Sequence, residues 1–86
     1  MFFVYILKSS KNKWFYIGST SDLNKRLEEH NLGKVVSTNF YRPLKLIYYE
    51  AYFSEKDARH REHNLKLKSR AFVQLKKRLK STLENI

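Results

Sequence analysis

Five side chains in this 86-residue chain are of types that do chemistry at a site: Tyr5, Tyr16, Arg26, His30 and Glu62. Arg26 and His30 lie four residues apart, so on a helix they share one face, beside the apolar pair Leu23 and Leu27. That puts a guanidinium and an imidazole at the edge of a buried surface. Glu62 falls with Ala58 and Leu65 at the i, i+4, i+7 spacing of a core-facing stripe. It is also the only acid between Arg59 and Lys80, a span otherwise rich in Lys and Arg. A carboxylate facing inward is too costly to leave alone. It must pair with a cationic side chain, for which Arg26 is a plausible partner, or bind a cation, or open into a wet cleft. Tyr5 and Tyr16 belong to two apolar runs. If Lys8 opposes Lys13 in a hairpin, Tyr5 opposes Tyr16 and both point to the same face; a slip of one residue would separate them.

The elements that must position these groups follow from pattern. Phe2 to Leu7 and Trp14 to Ser19 are rich in aromatic and β-branched residues, and the polar stretch Ser9-Ser10-Lys11-Asn12 between them suits a turn. The spacing predicts a β-hairpin whose strands are apolar on both sides, hence a sheet covered on both faces. Gly18 ends the second strand or lets another group approach its backbone. Ser19-Thr20-Ser21-Asp22 offers oxygens to cap a helix from about Asp22 to Leu32, and Gly33 suits the left-handed position that ends it. Residues 34 to 45, which include Pro43, are expected to be irregular. Leu46 to Phe53 reads as a third strand, Glu55 to Lys68 as a second helix opened by Ser54, and Arg70 to Leu83 as a third opened by Ser69. Phe72, Leu75, Leu79 and Leu83 give the last helix its apolar stripe. The expected fold is α+β: a small three-stranded antiparallel sheet flanked by helices in the order β-β-α-β-α-α, as one domain spanning residues 1–86.

Composition narrows the partners. The formal net charge is +10, which points to an anionic partner, nucleic acid before a lipid surface. The plain alternative is a solvated basic surface. With no cysteine, neither a disulfide nor a thiolate zinc site is available. The N-terminal apolar run lacks a preceding basic region and is too short for a signal peptide or a membrane span, so a cytoplasmic protein without membrane contact is expected.

The ordered set of residues resembles the GIY-YIG nuclease superfamily, and more closely its small stand-alone bacterial branch related to the N-terminal nuclease domain of UvrC. Phe3-Val4-Tyr5 stands at the first triplet with only the tyrosine kept, and Tyr16-Ile17-Gly18 is the second triplet intact. Ten residues separate the two tyrosines. Arg26 matches the helix arginine, His30 the His-or-Tyr position one turn on, and Glu62 the metal-binding glutamate. Ser21 to Asn31, and Ala58-Arg59-His60-Arg61-Glu62 followed by Leu65-Lys66, are very like the stand-alone branch. Gln74 stands in the region where several family nucleases carry asparagine.

The resemblance implies a metal-dependent endonuclease that hydrolyses phosphodiester bonds, structure-selective or non-specific, on nucleic acid with DNA as the first candidate, and with a role in repair. It implies a divalent ion, Mg²⁺ or Mn²⁺, on Glu62, and Arg26 gripping two phosphate oxygens through its planar fork. Tyr16 is the family-style base for the attacking water and Tyr5 orients water or phosphate. His30 is the alternative base, because its ordinary pKa of ~6.5 suits neutral pH. Phosphate contacts are expected from Lys25, Arg59, Arg61, Lys66, Lys68, Arg70, Lys76 and Lys77, giving affinity without base reading. His60 and His63 read as surface residues. A monomer or weak dimer is expected. The other readings are a nucleic-acid-binding module without turnover and a basic adaptor of a repair or ribosomal complex. Each site residue also has an ordinary structural reading, as a sheet aromatic, a helix-covering arginine or a helix-end histidine. The reading of a site depends on all five polar groups meeting on one face of one sheet.

Overall fold

The structure, a computed structural model, describes residues 1–66 and 69–86. Three strands, β1 (Phe2–Ser9), β2 (Phe15–Thr20) and β3 (Leu44–Tyr52), form an antiparallel sheet in the order β2-β1-β3. β1 is therefore central and β2 has one open edge. Helix α1 (Leu23–Asn31) follows β2, and a short helix α2 (Val36–Asn39) precedes β3. Helices α3 (Glu55–Asn64), α4 (Arg70–Arg78) and α5 (Lys80–Glu84) complete the chain. No helix among the described residues is long and apolar enough to cross a membrane.

Alternation along the strands builds two cores. Val4, Ile6 and Ile17 point to one face and pack with Ala58 and Leu65 of the α3 segment and Phe72 and Leu75 of α4. Tyr5 and Leu7 point to the other, with Leu44, and are covered by Leu23 and Leu27 of α1 together with Trp14, Tyr16 and Tyr41. The sheet is covered on both faces, as its doubly apolar strands require.

Caps set the helix ends. Asp22 accepts the amide of Lys25 at the start of α1, and Ser69 that of Phe72 at the start of α4. Gly33, at φ 79°, takes the left-handed turn after α1.

Four expectations are corrected. The β1–β2 register is displaced by two residues: Tyr5 opposes Gly18 and Leu7 opposes Tyr16. An even displacement preserves facing, so Tyr5 and Tyr16 still share a face. The stretch 34 to 45 contains α2, which buries Thr38 against α1. The helix expected from Glu55 to Lys68 ends at Asn64, because Leu65 is drawn fully into the core as its cap. The helix expected from Arg70 to Leu83 breaks at Leu79 into α4 and α5.

Candidate active site

Tyr5 is mounted on the central strand and almost wholly buried. Its ring crosses β2 at Gly18: a Cβ at residue 18 would lie 2.5 Å from the Tyr5 hydroxyl and 2.7 Å from Cζ. Any larger residue there would block the phenol from the edge strand. The hydroxyl meets His30 Nε2 at 2.8 Å, and His30 Nδ1 meets Thr38 Oγ1 at 2.8 Å. Thr38 Oγ1 donates onward to the Val35 carbonyl at 3.4 Å. One proton arrangement satisfies all three contacts: Tyr5 donates to Nε2, Nδ1–H donates to Thr38, and the imidazole is neutral. Burial, with the Arg26 charge adding to it, lowers His30 from 6.5 to about 4. Burial also pushes Tyr5 up to about 12; Arg26 acts in the opposite direction, while Tyr16 and Glu62 add to the rise. Tyr16 lies beside both, its ring 5.2 Å from that of His30 and 6.3 Å from that of Tyr5. Its hydroxyl makes no hydrogen bond among the described residues, whereas those of Tyr5, Tyr48 and Tyr52 do.

Glu62 comes from the other side. α3 packs on the face of the sheet opposite α1, and Glu62 reaches the edge of β2, where Ser19 Oγ donates to Oε1 at 2.7 Å. Lys66 Nζ approaches Oε2 at 3.2 Å. Arg26 is not the partner of Glu62; it pairs with Glu29 on its own helix at 3.3 Å. The five groups do not share one face. Strand alternation puts Tyr5 and Tyr16 with α1 and puts Ser19 with α3, and the two sets are neighbours only across the open β2 edge. There the phenol lies over Gly18 and the carboxylate sits on Ser19, the next residue along. The Glu62 charge raises Tyr5, so the two groups remain electrostatically coupled.

Two polar hollows meet at this edge. One, of ≈ 350 Å³, is lined by Ser19, Arg59, Glu62, His63 and Lys66. The other, of ≈ 530 Å³, is lined by Ser19, Thr20, Ser21, Asp22, Lys25, Arg26 and Glu29. Ser19 borders both. Among the described residues no three His, Asp or Glu side chains gather as a metal cage. A Mg²⁺-like ion needs no such cage; it is held by one or two carboxylates, with water and substrate phosphate supplying the rest. Glu62 fits that role, because its carboxylate is part-exposed in a polar hollow and, among the described residues, is held by a hydroxyl and an exposed lysine.

The basic residues divide. Lys25, Arg59 and Lys66 border the two hollows. Arg61 does not: it forms two parallel hydrogen bonds to Glu50, at 2.9 and 3.0 Å, on the α3 face of β3. Tyr48 and Tyr52 each donate to the same carboxylate at 2.6 Å. Burial alone would raise Glu50, but these donors outweigh it and hold the carboxyl at about 2. Arg61 therefore clamps α3 to β3, with Glu62 as its neighbour. Lys76 and Lys77 border a separate, apolar hollow on α4 and α5, and Arg70 is exposed at the start of α4. Lys68 lies outside the described residues. Gln74 is exposed on α4.

Sequence reasoning missed three residues that the fold brings in. Ser19 belongs to β2 and holds Glu62, where a capping role was open to it. His63 borders the Glu62 hollow. Thr38 had no local signal at all, since its role depends on a contact with a helix eight residues earlier.

Comparison with known proteins bears on the family and the fold. Residues 1–81 match the sequence profile of the GIY-YIG catalytic domain. The chain is 38% identical over 65 residues to the UPF0213 protein YazA of Bacillus subtilis, covering 74% of this chain and 65% of that one, so it spans about two-thirds of that relative's length. A UPF0213 protein of Staphylococcus aureus (strain Mu3) is 40% identical over 69 residues, covering 79% of this chain and 83% of its own. The solution NMR structure of a UPF0213 protein from Bacillus halodurans superposes with a TM-score of 0.54 at 30% identity, covering 93% of this chain and 86% of that one.

Proposed function

Because this chain belongs to the GIY-YIG catalytic-domain family, within its small UPF0213 branch, we propose that it is a metal-dependent endonuclease cutting phosphodiester bonds in nucleic acid, with DNA as the preferred substrate and repair as the setting. The observation that carries this reading is the β2 edge at Gly18 and Ser19, which has a phenol and a guanidinium on one side and a single part-exposed carboxylate on the other.

A phosphate straddling that edge is gripped by Arg26, whose fork spans two oxygens once it releases the half-buried Glu29. Lys25 adds positive charge beside it, and Arg59 and Lys66 receive neighbouring phosphates. Tyr16, acting as its phenolate, takes the proton of the attacking water and ends as the neutral phenol. The surroundings support Tyr16 over His30: the imidazole is sealed in the core, both ring nitrogens are engaged, and its basicity is depressed. Tyr5 is excluded for a different reason: burial keeps its hydroxyl protonated and that proton is donated in the hydrogen bond to His30, so it serves as a fixed dipole over Gly18. Glu62 would hold the divalent ion, Mg²⁺ or Mn²⁺, and the chemistry such an ion would supply is neutralisation of charge on the phosphate and the departing oxygen.

The test is a plasmid-nicking assay with Mg²⁺, with Mn²⁺ and with EDTA, beside Glu62→Ala and Arg26→Ala. Metal-dependent nicking that both variants lose is the expected result. Salt-sensitive binding without nicking under any metal, unchanged in Glu62→Ala, would replace the nuclease with a binding module. Copurification with a protein partner and weak affinity for free nucleic acid would point instead to an adaptor.

A further inference from the structure

Phe40 is 79% exposed and belongs to neither core cluster, so the fold gains little from an aromatic ring there. It is nevertheless the outer end of a chain of rings. Phe40 meets Tyr41 edge to face at 5.3 Å, Tyr41 lies flat on Trp14 at 3.8 Å and 6°, and Trp14 stacks on Tyr16 at 6.2 Å and 29°. The series runs along the α1 face from an open surface to the phenol assigned as base. Cations accompany its outer end. Lys11 Nζ lies 5.8 Å from the Phe40 ring centroid and 3.4 Å from its carbonyl oxygen, and Lys13 is exposed in the same turn.

An accessible aromatic face beside lysines, at the head of a line of rings, is the arrangement that holds unpaired nucleotides: bases stack on the ring and phosphates meet the ammonium groups. A duplex offers no free base face to such a ring except at its ends. We infer that Phe40 is a stacking platform for an unpaired base, with Lys11 on the adjoining phosphate, and that the substrate carries a single-stranded stretch which this platform leads toward Tyr16. The inference deepens the nuclease reading and rests on it for the substrate class.

The test reads binding, not turnover. Trp14 is the chain's only tryptophan and sits inside the ring series, so its fluorescence reports occupancy. Oligo-dT, oligo-rU and a relaxed, covalently closed circular duplex, which has neither ends nor unpaired loops, are titrated in EDTA, where cleavage is blocked. Phe40→Ala is expected to weaken binding of the single strands on the order of tenfold and to leave the duplex unchanged, while Phe40→Tyr keeps wild-type affinity. Lys11→Ala should weaken both and lower the salt dependence. Loss of Phe40 that leaves the single strands unaffected, or weakens the duplex equally, would overturn the platform. Absence of nicking elsewhere leaves this outcome readable, since no catalysis is measured. If no probe binds at low salt, the nucleic-acid reading falls and takes the platform with it. Because the ring is exposed, an unchanged melting transition in Phe40→Ala is expected and shows that any loss of binding is not unfolding.

Discussion

Tyr5 and Gly18 face each other across the β1–β2 pair, with the phenol resting on the glycine's bare backbone. The glycine of the Tyr-Ile-Gly triplet thus makes room for the tyrosine of the first triplet. Gly18→Ala places a methyl 2.5 Å from the Tyr5 hydroxyl and 2.9 Å from the Tyr16 ring. Both rings must move, and the Tyr5–His30 contact opens. The expected cost is about 1–3 kcal/mol of stability in urea denaturation, with loss of nicking in protein that remains folded. Wild-type stability in this variant would show that the phenol does not lie over residue 18.

Thr38 fixes the His30 tautomer. Thr38→Val keeps shape but removes the acceptor that the buried Nδ1–H has among the described residues, at an expected cost of about 1–3 kcal/mol. Thr38→Ser should recover most of it. Nitrogen chemical shifts of His30 are expected to report Nδ1 protonation in the wild type and a mixture in the valine variant.

The neutral imidazole also makes stability depend on pH. Its folded value, about 4, lies below the ordinary 6.5. Between those values the unfolded chain binds a proton that the folded chain refuses, so this contribution is complete above pH 6.5 and is lost as pH falls toward 4. The expected loss is at most ~3 kcal/mol. Glu50, ordinarily near 4.5 and held at about 2, adds a second loss below that window. Urea midpoints measured from neutral to acid pH should fall in the wild type and stay level through the first window in His30→Gln. A level wild-type curve would remove the proton arrangement given for Tyr5, His30 and Thr38.

Two arginines on one helix should behave differently. Among the described residues Arg59 pairs with Glu55 alone, at the exposed surface, so Arg59→Ala should weaken nucleic-acid binding with little change in stability. Arg61→Ala leaves Glu50 part-buried without its main partner and is expected to cost about 2 kcal/mol, with α3 loosened beneath Glu62. Equilibrium unfolding beside a binding titration separates the two.

Much of this was legible in the sequence because it depends on local spacing. The facing of Tyr5 and Tyr16 survives a two-residue error in register, and the inward stripe of Ala58, Glu62 and Leu65 is set by helical period alone. What stayed hidden is non-local. Glu62 and Tyr5 lie on opposite faces, since the side of the sheet each helix covers is decided by chain path and not by any stripe on the helix. Arg61 looked like its basic neighbours until Glu50, Tyr48 and Tyr52 on β3 were placed against it. Thr38 acquires meaning only when α2 folds back onto α1.

The outer margin of β2 has a second consequence. An unpaired strand with free amides invites another chain to add to the sheet. Here the segment that would accept such an intruder is bracketed by Arg26 and Lys25 on one flank and by Glu62 and Lys66 on the other. Ionised groups at that border are costly to strip of water and resist docking of a neighbouring backbone. The charges proposed to grip a phosphate would also guard this edge strand against pairing with another chain.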